Sequence, residues 1–108
     1  MENMENELIN VAMNIILEAG DARTFIHQAV KSAAEDNIDE VLSYMKQADQ
    51  KIIEAHKCQT VVVQNEARGK SYDYSLLMTH AMDTLMTIVS EYNITCNMLL
   101  LSKNIHVK

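Results

Sequence analysis

"ENELINVAMNIILEAGDARTFIHQAVKSAAE", residues 5–35, decides the fold. Leu8, Val11, Ala12, Ile15, Ala19, Ala22, Ile26, Ala29 and Ala33 recur at three- and four-residue spacing along it. That period is the signature of an α-helix with one apolar face. The stripe crosses Gly20 without losing phase, so the spacing predicts one helix from about Glu5 to Glu35. A break at Gly20–Asp21, with Asp21 capping a second piece, is the rival reading. Glycine inside a helix costs about 1 kcal/mol relative to alanine. Gly20 is therefore expected where another helix backbone comes close.

Working outward, "EDNIDE" (35–40) is the first punctuation. Asn37 can cap a helix starting at Ile38, with Glu40 in the capping-box position three residues on. The stripe of this second helix is Ile38, Val41, Leu42, Met45, Ala48, Ile52, Ala55, Gln59 and Val62. "ARGKSYD" (67–73) is the second break. Arg68 suits a last helical turn, Gly69 the left-handed position after it, and Asp73 a new N-cap. A third helix is expected from about Tyr74 to near Ser102, with Tyr74, Leu77, Ala81, Leu85, Ile88, Tyr92, Thr95 and Leu99 facing inward. Helices of about 30 residues span about 45 Å, and short connections make neighbours antiparallel. The expected fold is all-α, an antiparallel up-down-up three-helix bundle.

Composition agrees. The 108 residues contain no Pro, two Gly, eight Met, one Phe, four Tyr and no Trp, so a β-sandwich or barrel lacks its turn residues. A chain of this length forms one domain, residues 1–108, that can bury a core without crosslinks. The formal net charge of −6 argues against a nucleic-acid surface, which needs clustered Lys and Arg. The longest apolar run, around "NMLLLS" (97–102), is far too short to span a bilayer. "MENMENEL" has no basic segment ahead of an apolar core, so it does not read as a secretory signal. Cys58 and Cys96 lack metal-site spacing, and reduced structural thiols of a cytoplasmic protein are expected.

The third helix carries a second line: Leu76, His80, Asp83, Thr87, Ser90, Ile94, Met98 and Leu101. An apolar stripe with a polar middle exceeds what a lone three-helix bundle covers. It points to self-association through this helix, with copies of Asp83 meeting about a symmetry axis. Within it "LMTHAMDTLMT" (77–87) places His80 and Asp83 one turn apart. A buried histidine bonded to that carboxylate, a metal site and a nucleophile all remain open here. A carboxylate-bridged di-metal bundle requires Glu three residues before His, and His27, His56, His80 and His106 all lack it. A two-component histidine phosphotransfer domain typically shows His-x-x-Lys-Gly, where this chain has Asp83 and Thr84; that reading is weakened but stays open.

Three segments then converge. "AGDARTFIHQAV" (19–30), "EAHKCQTVVVQNEARGK" (54–70) and "HAMDTLMT" (80–87) stand in the right order and spacing. They resemble the Gly-x-Ala-Arg-Ser, Glu-Ala-His-x-x-Gln-Thr and His-Ala/Gly-Gln-Asp-His-Leu-Met-Thr motifs of the lactose/cellobiose-type enzyme IIA of the bacterial phosphoenolpyruvate-dependent sugar phosphotransferase system. The resemblance covers nearly the whole chain. It implies a homotrimer of three-helix protomers in the cytoplasm, with His80 as the phosphorylated residue. It implies a phosphoryl group received from phospho-HPr and passed to a cysteine of the sugar-specific IIB component, with the membrane reached only through IIC. It places Asp83 at the threefold axis, where one Mg²⁺ or similar divalent cation per trimer can sit. The sugar is expected to be a disaccharide of the cellobiose, chitobiose or lactose type.

Met82 and Thr84 depart from the motif's Gln and second His. Met82 reads as packing or docking surface. The Thr84 hydroxyl either donates to a phosphoryl oxygen or, as the favoured reading, to the carbonyl four residues back. His80 lies about two turns inside its helix, too deep for much help from the N-terminal dipole. Donors to the phosphoryl group are therefore expected from the docking partner, or from His56 or Arg23. Gln59 interrupts an apolar stripe, and a buried amide must find partners. His27 and His56 read as surface or supporting residues, and His106 as part of a frayed tail. The competing class is a non-catalytic oligomerisation or adaptor module, in which His80 and Asp83 only set register.

Overall fold

A computed structural model describes residues 4–73 and 75–107. Three helices account for almost all of them: α1 (Met4–Ala34), α2 (Ile38–Ala67) and α3 (Leu76–Lys103). The molecule is a rod of 51 × 21 × 19 Å, the dimensions of three such helices laid side by side. Tyr74, the expected start of the third helix, lies outside the described residues.

The α1 stripe packs as its spacing predicts. Every member is buried except Val11, which is half-buried against the same core. Five of the nine are alanines, and Ala48 and Ala55 of α2 are also fully buried. Such small residues let helix axes approach closely, and α1 with α2 forms the most extensive contact in the molecule. Phe25 stacks on Tyr44 across this seam at 6.3 Å between ring centroids. Lys51 of α2 reaches Glu18 and Asp21 of α1 at 3.4 and 3.5 Å. α2 and α3 touch sparingly, so α3 hangs mainly on α1.

α1 runs unbroken through Gly20, but not for the expected reason. Gly20 is exposed, and a Cβ there would meet nothing within 4 Å. No helix approaches it. In the second stripe Ile38 and Leu42 are exposed while Val41, between them, is fully buried, so the buried face of α2 is narrower here than the stripe.

The turns show how the helices stop. Asp36 takes a left-handed conformation (φ 59°), and the Asn37 N–H returns to the Ser32 carbonyl at 2.9 Å. Asn37 then caps α2, its side chain accepting from the Glu40 N–H at 3.2 Å. The Glu40 carboxylate answers the Asn37 side-chain amide rather than its backbone, a variant of the capping box. Arg68 forms the C-cap of α2, and Gly69 (φ 95°) follows in the left-handed region that favours glycine.

The start of α3 corrects the expectation that Asp73 caps it. Ser75 is the N-cap: it is extended, and its Oγ accepts from the Met78 N–H at 3.1 Å. Asp73 stays in the connection, exposed. The other end is also corrected. Asn104 adopts a left-handed conformation and the Ile105 N–H returns to the Leu99 carbonyl at 3.1 Å. Ile105 is thereby buried, so the tail around exposed His106 is docked rather than frayed.

Candidate functional site

α3 shows its two lines on opposite terms. Met78, Ala81, Leu85, Ile88, Tyr92, Thr95 and Leu99 are buried; Met78 belongs to this face although the expected stripe named Leu77, which is only half-buried. Burial pushes the Tyr92 phenol well above its ordinary range, so it is a neutral core residue. The second line, Leu76, His80, Asp83, Thr87, Ser90, Ile94, Met98 and Leu101, is exposed throughout.

This exposure settles one of the open readings. His80 and Asp83 are not a buried, mutually satisfied pair. No hydrogen bond joins them, and among the described residues none reaches either the imidazole or the carboxylate. The imidazole and the carboxylate are both open to whatever docks on this face. Because α3 starts at Leu76, His80 is its fifth residue, closer to the N-terminus than two turns. It still lies past the first turn, where the dipole acts most strongly.

The supporting residues divide. The Thr84 hydroxyl donates to the His80 carbonyl at 2.8 Å, the favoured one of its two readings. Thr87 does the same to the Asp83 carbonyl at 2.9 Å. Arg23 is not available to His80: it forms a two-pronged pair with Glu91, Nε to Oε1 at 3.1 Å and Nη2 to Oε2 at 2.6 Å. Glu91 is eleven residues after His80, about 16 Å along the helix. That pairing holds the guanidinium charged and fastens α1 to α3. His56 is exposed on α2, and its carbonyl accepts from the Thr60 hydroxyl.

Gln59 and Met82 do come together. Both are half-buried and line a groove of about 210 Å³ that opens between the C-terminal end of α2 and the N-terminal end of α3. Thr79, the neighbour of His80, lines it too. The amide of Gln59 has no hydrogen-bond partner among the described residues, so the expected internal satisfaction is not found. Ser75, Tyr72 and Asp73 close the groove from the connection. Their part in it was not read from the sequence; only Ser75, a capping residue three positions before Met78, carried a usable signal.

Neither cysteine forms a disulfide, and burial, aided by Glu18 and Glu54, raises the Cys58 thiol above its usual value. Among the described residues no three or more His, Cys, Asp or Glu side chains cluster as metal ligands. No described helix is long and apolar enough to cross a membrane.

All four histidines are exposed, and His80 is the one on α3, next to Thr79 of the groove lining and on the same exposed line as Asp83. Comparison with known proteins gives the bundle its identity. The family model for the PTS system lactose/cellobiose-specific IIA subunit matches residues 10–103. The lichenan-specific phosphotransferase enzyme IIA component of Bacillus subtilis is 32% identical over 87 residues, covering 81% of this chain and 79% of that protein. The lactose-specific EIIA component of Staphylococcus epidermidis is 34% identical over 82 residues, 76% of this chain and 79% of its own. The crystal structure of the PTS cellobiose-specific enzyme IIA from Bacillus anthracis superposes with a TM-score of 0.85 at 31% identity, covering 96% of this chain and 93% of that one. That of PtcA from S. mutans gives 0.84 at 32% identity, covering 94% and 97%. The chain belongs to the lactose/cellobiose-specific IIA family, and its role is that of a phosphocarrier in a sugar phosphotransferase system.

Proposed function

We propose that His80 carries the phosphoryl group, taking it from phospho-HPr and giving it to a cysteine of the sugar-specific IIB component. The observation that carries this reading is the place of His80: it stands in "HAMDTLMT", the segment that resembles the family's histidine motif, and its ring is exposed and unbonded among the described residues, an openness it shares with the other three histidines. A neutral imidazole is a competent nucleophile near pH 7. One ring nitrogen attacks phosphorus as the bond to the donor breaks. A thiolate of the acceptor later attacks the same phosphorus, and the His80 imidazole leaves with its electron pair. Transfer then asks for in-line positioning and charge stabilisation. Thr84 cannot contribute its proton while it is bonded to the His80 carbonyl, and Arg23 is engaged by Glu91. The donors that stabilise the phosphoryl oxygens therefore come from the docking partner or from a second copy of the chain.

Self-association supports the same reading. Met86, Ile94, Met98 and Leu101 are exposed on the face that bears Asp83, an apolar surface that a homotrimer would cover. Two carboxylates at about 4 Å repel by about 4 kcal/mol at an effective dielectric of about 20. Three copies of Asp83, whose carboxylate is unbonded within the described protomer, are hard oxygen donors that suit a divalent cation of the Mg²⁺ or Ca²⁺ type. Such an ion would neutralise that repulsion. The phosphorylation site and partners are cytoplasmic on this reading, and the substrate is a disaccharide or related β-glycoside recognised by the membrane component.

Incubation with phosphoenolpyruvate, enzyme I and HPr tests it. The chain gains one acid-labile, base-stable phosphoryl group, and His80→Gln abolishes the gain while leaving the helical content intact. A gain retained by His80→Gln, or none in the wild type, overturns the assignment.

A further inference from the structure

We propose that Glu7 is a positioning residue for transfer at His80: its carboxylate clamps the α2–α3 connection that walls the groove beside that histidine and caps its helix. The role rests on the reading of His80 as the carrier.

Five contacts converge on or around one side chain. Glu7 Oε2 accepts from Lys70 Nζ at 2.7 Å. Glu7 Oε1 accepts from the Tyr72 hydroxyl at 3.2 Å and from the Asn65 amide at 3.3 Å. Asn65 also donates to the Tyr72 oxygen at 2.9 Å, and the Lys70 ammonium lies 5.3 Å from the Tyr72 ring centroid. The cluster thus ties α1, α2 and the connection at a single point. Lone exposed ion pairs contribute little, but a network with fixed partners is a different case. The bond from Lys70 holds the Glu7 carboxyl below its ordinary range, aided by Tyr72 and opposed by partial burial.

The beginning of α3 packs on the core through Met78 and Ala81, with Leu77 and Met82 half-buried against it, while Leu76 is exposed. α2 and α3 touch sparingly, so on the α2 side this end is set by the connection, through the Ser75 cap and through Tyr72, which also packs on the core. Tyr72, Asp73 and Ser75 of the connection line the groove together with Gln59 of α2 and with Thr79 and Met82 of α3. Thr79 precedes His80 in the chain, so a protein that docks on the His80 face is adjacent to this lining. Released from Glu7, the connection loses its tether and the groove its shape, while the α1–α2 core, held by apolar packing, is untouched.

The test uses the full chain with phosphoenolpyruvate, enzyme I and HPr, comparing wild type with Glu7→Ala and Tyr72→Phe. Backbone hydrogen exchange over residues 69–75 should rise in both variants, with core exchange unchanged. KM for phospho-HPr should rise about tenfold while the single-turnover rate at saturation stays within about twofold, the split expected when docking rather than chemistry is disturbed. Glu7→Gln, which keeps an acceptor oxygen, should restore part of the loss. An unchanged KM, with or without faster exchange, overturns the proposal. So does a KM increase that merely follows a global loss of stability. A wild-type chain that takes up no phosphoryl group removes the carrier reading itself, and this role with it.

Discussion

The two faces of α3 differ more than any other pair of regions in the molecule. On one, Leu85 is 1% exposed and sits among close-packed aliphatic side chains; on the other, Met86, the next residue, is 60% exposed and Leu101 is 86% exposed. Both faces are apolar in character, yet only one is used within the protomer. The inner face fixes where the helix lies. The outer face, with His80 and Asp83 among Met, Ile and Leu, has no internal task and so is free to serve contacts between molecules. A helix can be hydrophobic on two sides only when two different things are to be buried against it.

The contrast can be broken in stages. The largest effect is expected at the inner face: Leu85→Ala should cost 2–5 kcal/mol in urea unfolding, roughly the range for a deleted core leucine. Met86→Ala should change the same measurement by about 0.5 kcal/mol or less at concentrations where the chain is dissociated. If Met86→Ala proves as costly as Leu85→Ala under those conditions, the outer face is not outer. Asp83→Leu comes next. It should leave the proposed trimer folded and intact in analytical ultracentrifugation and indifferent to EDTA. Dissociation of that variant, beside a wild type unmoved by EDTA, would remove the cation from the picture.

Gly20→Ala should stabilise the chain by about 1 kcal/mol, since the position is helical and nothing crowds a methyl group there. A loss of stability instead would mean that the exposed side of α1 is itself covered in the assembly. The smallest effect is a pH response. Because Glu7 titrates lower in the folded chain than its ordinary 4.5, its contribution is complete above that value and fades as pH falls through the lowered one. Exchange over residues 69–75, corrected for its intrinsic pH dependence, should quicken in that acid range, and Glu7→Gln should flatten the change.

Much of the bundle was legible because its information is local. The α1 stripe identifies core positions by spacing alone, and Asn37 with Glu40 marks the next helix within four residues. His80 and Asp83 stood out because polar groups interrupted an apolar line. What escaped the sequence is what depends on distant partners. Glu7 lies 58 residues from Asn65 and 63 from Lys70, so no periodicity links them. Arg23 looked available until Glu91, 68 residues on, was found holding it. Asp73 and Ser75 are both good caps, two residues apart; the length of the connection and the anchoring of Tyr72 choose between them. The cost of a helical glycine points to a close neighbour at Gly20, and the fold places none there.

The sparse seam between α2 and α3 has a bearing on how the molecule comes into being. α1 and α2 are joined by a turn of three residues and bury most of their apolar stripes against each other, contacts that a growing polypeptide can make early and quickly. The last helix arrives afterwards and settles chiefly on α1. Because it bears His80, the proposed carrier, a half-synthesised hairpin can have its α1–α2 seam in place and still lack the group proposed to do the chemistry.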